Sequence, residues 1–307
     1  MNAPRVVVLC LLLTATACGS APQPVTWSAR TTPSPSPSIP PASSSPTPPP
    51  RPPAVPSGVN VGIAVFDRQT GSFTMQHNAT MRFRSASLVK LLIALDYLWD
   101  RGPGYAVPAA DRDRLQLMLR SSDDSAATYY WSRNGQGEIV TRMSARLTLR
   151  DTAPPPAARP KAWGYTALSA ADIVRIYRYV LDDAAAPVRD FVMGNLRQST
   201  RCGTDRYDQS FGIPSAFEKP WAVKQGWSGF GDVPAIPCTG TTQARYEVVG
   251  ILDGRVLHTT GTVGPDDRSI VAVLTQHPSG TSFAKATATL TNLIGQLPVP
   301  GAIPRRA

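Results

Sequence analysis

The sequence predicts an α+β domain: one folded unit with strands at its two ends and helices between them. Three observations carry this. Apolar residues alternate with polar or small ones near the start and the end of the chain's last stretch, helical periodicity fills its middle, and a segment unable to pack precedes it all. Of the 31 prolines, 14 fall between Pro22 and Pro56, among residues that are mostly Ser, Thr and Ala. Roughly 240 residues follow, enough for one domain with a sizeable core. The expected division is 1–17 signal peptide, 18–58 tether, 59–299 folded domain and 300–307 tail.

Residues 1–20 hold a single Arg5, an apolar run from Val6 to Leu13 and then small residues. The run is too short to cross a bilayer and reads as an export signal that is removed. Ala15-Thr16-Ala17-Cys18 resembles a bacterial lipoprotein cleavage box, in which Cys18 becomes a lipid-bearing N-terminus. The same residues also satisfy a plain Ala-x-Ala cleavage rule. Export is expected, with the chain lipid-anchored at the outer face of the cell membrane or, without lipid, secreted. The Pro/Ser segment would then be a semi-extended tether.

In the folded part, Val61, Ile63 and Val65 alternate with small residues up to Asp67-Arg68-Gln69-Thr70-Gly71, which predicts a strand, a turn and a second strand over Phe73–His77. Ser87–Asp100 is apolar on nearly every face and predicts a buried central helix, closed by Gly102-Pro103-Gly104. Helical patterns follow over Leu115–Arg120, Ser125–Trp131, Glu138–Leu147 and Ser169–Leu181. Strands return at Trp221–Gly226, Arg255–Val263 and Ser269–His277, before a last helix at Phe283–Leu297. Tyr129, Tyr130 and Trp131 read as packing residues on their helix.

The net charge of +10 excludes little by itself. Basic residues are interleaved with acids, as in Asp111-Arg112-Asp113-Arg114, and no basic run with aromatics appears, so no nucleic-acid partner is expected. Three histidines with no paired spacing, and no Cys-x-x-Cys, argue against a metal, and no cofactor motif is present. Cys10 leaves with the signal and Cys18 is the lipidation candidate. Cys202 and Cys238 remain in an oxidising compartment and are expected to form a disulfide, worth about 3–4 kcal/mol by loop closure. A monomer is expected.

Arg outnumbers Lys 26 to 5, so each lysine carries information. Lys90 lies three residues after Ser87 in the first turn of the apolar helix, on the same face. A lysine among apolar groups loses hydration, its pKa falls, and it can take a proton from a neighbouring hydroxyl. Ser-x-x-Lys alone is weak, and Ser282-Phe283-Ala284-Lys285 repeats it. The first copy has company: Ser122-Asp123-Asp124 resembles a Ser-Asp-Asn loop, and Lys224-Gln225-Gly226 a Lys-Thr-Gly strand, in the required chain order.

With these three elements, Val59 to Leu297 resembles the penicillin-recognising serine hydrolases, and specifically the class A β-lactamases. The resemblance implies a β-lactamase/transpeptidase-like fold, a five-stranded antiparallel sheet flanked by helices plus a helical subdomain, with the site between. It implies an acyl-enzyme on Ser87, Lys90 as base, Ser122 as proton relay to the leaving nitrogen and Lys224 as anchor for a substrate carboxylate. Asp124, Gln225, Gly226 and Trp227 would line the substrate, and the N–H groups of Ser87 and Trp227 would form the oxyanion hole. The ligand would be a β-lactam or a peptidoglycan peptide.

The chain also departs from that family. No Glu lies between Ser144 and Asp172, where class A enzymes carry the glutamate that activates water, and Asp151 is the only acid there. Gln225 replaces a hydroxyl, Asp124 replaces an amide, and Trp227 is bulky beside the oxyanion position. The family's N-terminal helix is missing, the Ser87–Ser122 spacing is short, and an insertion between Trp227 and Gly254 contains Cys238. Two functions follow: a slow-deacylating serine hydrolase, or a non-catalytic cell-wall or partner-binding lipoprotein that keeps the fold.

Overall fold

A computed structural model of the chain describes residues 52–232, 234–238 and 254–306. Two strands, β1 (Asn60–Asp67) and β2 (Ser72–His77), form the opening hairpin. Its turn reverses at Gly71, whose φ of +66° suits a residue without a Cβ. Strands β5 (Trp221–Ser228), β6 (Arg255–Val263) and β7 (Ser269–His277) complete a five-stranded sheet in the order β2-β1-β7-β6-β5, with every neighbouring pair antiparallel. A two-residue pair, β3 (Phe83–Arg84) with β4 (Ala167–Leu168), stands apart and was not predicted.

Strand periodicity divides the interior in two. Along β1, Ile63 and Val65 join an apolar cluster with Val271, Val273 and the final helix α8 (Phe283–Gly295), whereas Ala64 and Phe66 face the cluster built by the other helices. The sheet is therefore covered on both faces, and β1 is buried almost throughout. Helix α1 (Lys90–Trp99) runs through the larger cluster, with Lys90 to Leu95 and Leu98 all buried, and a 3₁₀ turn, Ala86–Val89, precedes it.

The helical layer is completed by α2 (Ala109–Arg120), α3 (Asp124–Arg133), α4 (Gly137–Leu147) and α5 (Ala170–Arg178), the last running into a π turn over Tyr179–Asp183. Helix α2 starts six residues before the predicted Leu115, because its charged first turns lie on the solvent side and show no apolar period. Two helices escaped the sequence reading: α6 (Ala186–Arg197), which buries Val188, Val192, Met193 and Leu196, and the single turn α7 (Ile213–Ala216). No helix precedes β1 among the described residues, and none is long and apolar enough to cross a membrane.

Both ends of the domain extend past the predicted bounds. Ala54 N–H donates to Gln296 Oε1, and Val55 packs on the α8 side of the sheet. Residues 300–306 are tied in: Ser269 Oγ donates to the Pro300 carbonyl, Glu218 N–H to that of Ile303, and Arg305 N–H to that of Ala216. The expected cleavage box and Cys18 lie outside the described residues. Cys202 and Cys238 form the expected disulfide, with Cα atoms 5.6 Å apart.

His258 on β6 is fully buried. Its Nε2 lies 2.9 Å from the Arg84 carbonyl, which can only accept, and its Nδ1 lies 3.2 Å from the Thr275 N–H, which can only donate. The ring is thus held neutral, and burial pushes its pKa down from 6.5 to about 4. The unfolded chain binds a proton below 6.5 that the folded chain refuses until about 4. Stability from this site is complete above 6.5 and falls by roughly 3 kcal/mol as the pH drops through that window. Urea unfolding at pH 7 and 4.5 should show the loss, and His258→Gln should flatten the slope.

Candidate active site

Two strained backbone positions frame the site. Ala86, immediately before Ser87, has φ +45°, and Ser122 has φ +56°, a region that residues with a Cβ rarely occupy. Ser87 follows in the 3₁₀ turn, and Lys90 opens α1. Ser122 follows the end of α2. The next residue, Asp123, caps α3 by accepting the Ala126 N–H at 2.6 Å, which fixes the loop between the two helices. Lys224 lies on β5, an edge strand.

These elements bring the four predicted catalytic side chains together. Lys90 Nζ is 2.9 Å from Ser87 Oγ and 3.4 Å from Ser122 Oγ, and it also donates to the Ser122 carbonyl. Lys224 Nζ donates to Ser122 Oγ at 2.8 Å and to the Gln225 carbonyl at 2.9 Å. One hydroxyl therefore stands between two lysine nitrogens. Both lysines are buried, at 0% and 1% exposure. Burial drives the Lys90 pKa below its ordinary value, against the pull of Asp124, whose Oδ1 lies 2.6 Å away. Lys224 is lowered as well, by burial and then by repulsion from Lys90. A buried amine with a lowered pKa beside a serine hydroxyl can accept that hydroxyl's proton.

The remaining predicted residues divide. Gly226 is required by packing: a Cβ there would sit 3.0 Å from the Ser85 carbonyl oxygen and 3.2 Å from Leu88, so its absence lets β5 approach the serine turn. Asp124 faces Lys90 in an ion pair whose carboxylate side is 65% exposed. Gln225 does not face substrate. Its side chain is fully buried and donates to the Gln209 and Phe211 carbonyls, as strand alternation requires once Lys224 points to the serines. Trp227 lines a cavity of about 210 Å³ together with Ser87, Asp124, Trp163, Tyr165 and Asp205.

Asp205 and Trp163 were not picked out from sequence. Trp227 Nε1 donates to Asp205 Oδ2 at 2.9 Å, and the Tyr207 N–H donates to Oδ1. Burial, with Asp124 nearby, pushes the Asp205 carboxyl upward. A signal for Asp205 existed, since joining Cys238 to Cys202 carries the residues just after Cys202 to the end of β5. Trp163 comes from the Pro-rich stretch after α4, and Lys90 Nζ lies 4.8 Å from its ring centre. That stretch is fastened by Asp172, a buried residue in the first turn of α5. Its carboxylate accepts the N–H groups of Arg150 and Asp151 and the Thr152 hydroxyl, and pairs with Arg175.

Two consequences are measurable. Asp124→Asn removes the charge that holds the Lys90 pKa up, so the titration of Lys90, followed by NMR of its ¹³Cε, should move to lower pH. Gly226→Ala should cost about 1–3 kcal/mol in urea unfolding, because β5 must retreat from Ser85 and Leu88.

No family model matches the chain. The protein named "Putative lipoprotein LppW" of Mycobacterium tuberculosis is 35% identical over 241 residues, covering 77% of this chain and 69% of that protein. The protein of the same name from Mycobacterium bovis matches to the same extent. Among solved structures, PBP-A aligns at TM-score 0.57 and 14% identity, over 78% of this chain and 89% of its own. A PBP-A variant solved as its acyl-enzyme complex with penicillin G gives 0.56 at 14% identity over the same shares. The class A β-lactamase of Mycobacterium abscessus gives 0.54 at 18% identity, over 78% of this chain and 92% of its own. The chain therefore belongs to the LppW family and has the fold of the class A β-lactamases and PBP-A.

Proposed function

We propose that this chain is an exported serine hydrolase that forms an acyl-enzyme on Ser87 with β-lactams or peptidoglycan-derived peptides and deacylates slowly. The observation that carries this reading is the continuous path from Ser87 Oγ through Lys90 Nζ and Ser122 Oγ to Lys224 Nζ. Lys90, as a free amine, takes the Ser87 proton while Oγ attacks the acyl carbon. The N–H groups of Ser87 and Trp227 receive the developing oxyanion. Ser122 delivers a proton to the leaving nitrogen and is replenished from the lysines beside it. Lys224, lodged behind Ser122, draws a substrate carboxylate toward the end of β5.

Slow deacylation follows from what stands opposite Ser87. The stretch fastened by Asp172 contributes the Trp163 ring, and no carboxylate of its own, to the surroundings of Lys90. An indole ring cannot take a proton from water, so this stretch supplies no base for the second half of the reaction. The name of the LppW relative supports lipidation at Cys18, with 1–17 as a removed signal and the Pro-rich segment as a tether at the outer face of the membrane.

One observation favours a second reading, a non-catalytic cell-wall or partner-binding lipoprotein: the Lys90–Asp124 ion pair at 2.6 Å favours the charged lysine, which is no base. Intact-protein mass after incubation with benzylpenicillin separates the two. The hydrolase reading expects a mass increase equal to the drug that persists for hours and is absent from Ser87→Ala, and about 10²-fold or more slower acylation in Lys90→Ala. Neither adduct nor drug consumption is the outcome expected of the binding protein.

A further inference from the structure

The charges around the cavity are unevenly distributed. Among the described residues its wall carries two carboxylates, Asp124 and Asp205, and no lysine or arginine. Among the described residues, Lys90 and Lys224 lie behind the wall, fully buried, with their N–H groups directed to protein acceptors: Lys90 to Ser87, Ser122 and Asp124, and Lys224 to Ser122 and the Gln225 carbonyl. Arg84 and Arg159 approach the Tyr165 ring but are not part of the lining. Among the described residues, the charged groups that a ligand entering beside Ser87 meets are these two carboxylates.

The carboxylates have capacity for a further donor. Each oxygen of Asp205 accepts one hydrogen bond, from Trp227 Nε1 or from the Tyr207 N–H, and a carboxylate oxygen has room for two. Asp124 uses Oδ1 on Lys90, and its side chain is well exposed. An amide at position 124 would both donate and accept, and so could bind a carbonyl. A carboxylate only accepts, and rejects a carbonyl or a second carboxylate. The mutual repulsion of Asp124 and Asp205, which helps push the Asp205 carboxyl upward, is relieved by a cation placed near them.

We propose that the cavity beside Ser87 selects acyl donors bearing a positively charged amino group, with Asp205 as the specificity-determining residue and Asp124 as its support. This rests on the acyl-enzyme reading for its chemistry, but selection by charge is a property of binding and is tested separately. Trp227 links the two functions: its indole is pinned by Asp205, and its N–H belongs to the proposed oxyanion hole, so the residue that reads the ligand's charge also steadies the group that stabilises the reaction.

Three penicillins form a matched set on one scaffold, with hydrogen, an ammonium or a carboxylate on the same side-chain carbon: benzylpenicillin, ampicillin and carbenicillin. Their dissociation constants are measured by calorimetry on the full chain carrying Ser87→Ala, and their acylation rates by intact mass on the unaltered chain. Selection predicts ampicillin at least fivefold tighter than carbenicillin, benzylpenicillin between them, and a ratio that falls toward one when Asp205→Asn is added. Loosening of Trp227 alone would weaken all three equally and leave the ratio unchanged. Equal or tighter binding of carbenicillin, a ratio that survives Asp205→Asn, or no binding of any of the three would overturn the proposal. Adducts that form with ordered affinities absent would defeat selection alone, whereas ordered affinities without adducts would defeat the hydrolase reading alone.

Discussion

Two lysine side chains withdrawn from water around one serine hydroxyl set the constraint on which the rest of the structure depends. Burying an ammonium group is costly unless its donors are satisfied, and here the cost arises twice within a few ångströms. Ser122 meets part of it by offering Oγ to both lysines and its carbonyl to Lys90, which requires the left-handed backbone at that residue. Asp124 meets more of it with the ion pair at 2.6 Å. Helix α3 must then begin at Asp124, and its cap, Asp123, holds the loop in the shape that the lysines need.

The other side of the cleft is assembled by fastening loops rather than by extending the sheet. Asp172 gathers the stretch after α4, and the bond between Cys202 and Cys238 gathers the segment carrying Asp205 against the chain that leaves β5. Each device places one side chain in the cavity that Ser87 lines: Trp163 in the first case, Asp205 in the second. Wall and floor thus have different origins. The floor follows from the secondary structure around α1 and β5, and the wall from side-chain anchors that act across long sequence separations.

That division explains what could be read from the sequence. The five strands of the main sheet and the helices α1, α3, α4, α5 and α8 were legible from apolar runs or periods bounded by turn residues, and the serine and lysine positions were legible because lysine is scarce. Helix α6 was missed although its buried positions recur at helical spacing, because Gly194 and Asn195 interrupt the pattern. Gln225 was placed with the ligand by analogy to a neighbouring motif position, whereas strand alternation turns it to the opposite side. Asp205 and Trp163 owe their place to a disulfide and a buried carboxylate. Local periodicity contains no trace of such long-range ties.

The burial of Lys90 and Lys224 also divides the chain's amine chemistry. Lys161, Lys219 and Lys285 are exposed, and the other two of the five lysines lie in the cleft with their N–H groups donating to protein oxygens. A reagent that acylates free amines in the folded protein will modify the three on the surface and spare the pair inside. Immobilisation or fluorescent tagging through lysine is therefore confined to these outer positions, and gain of reactivity at position 90 or 224 reports that the cleft has opened.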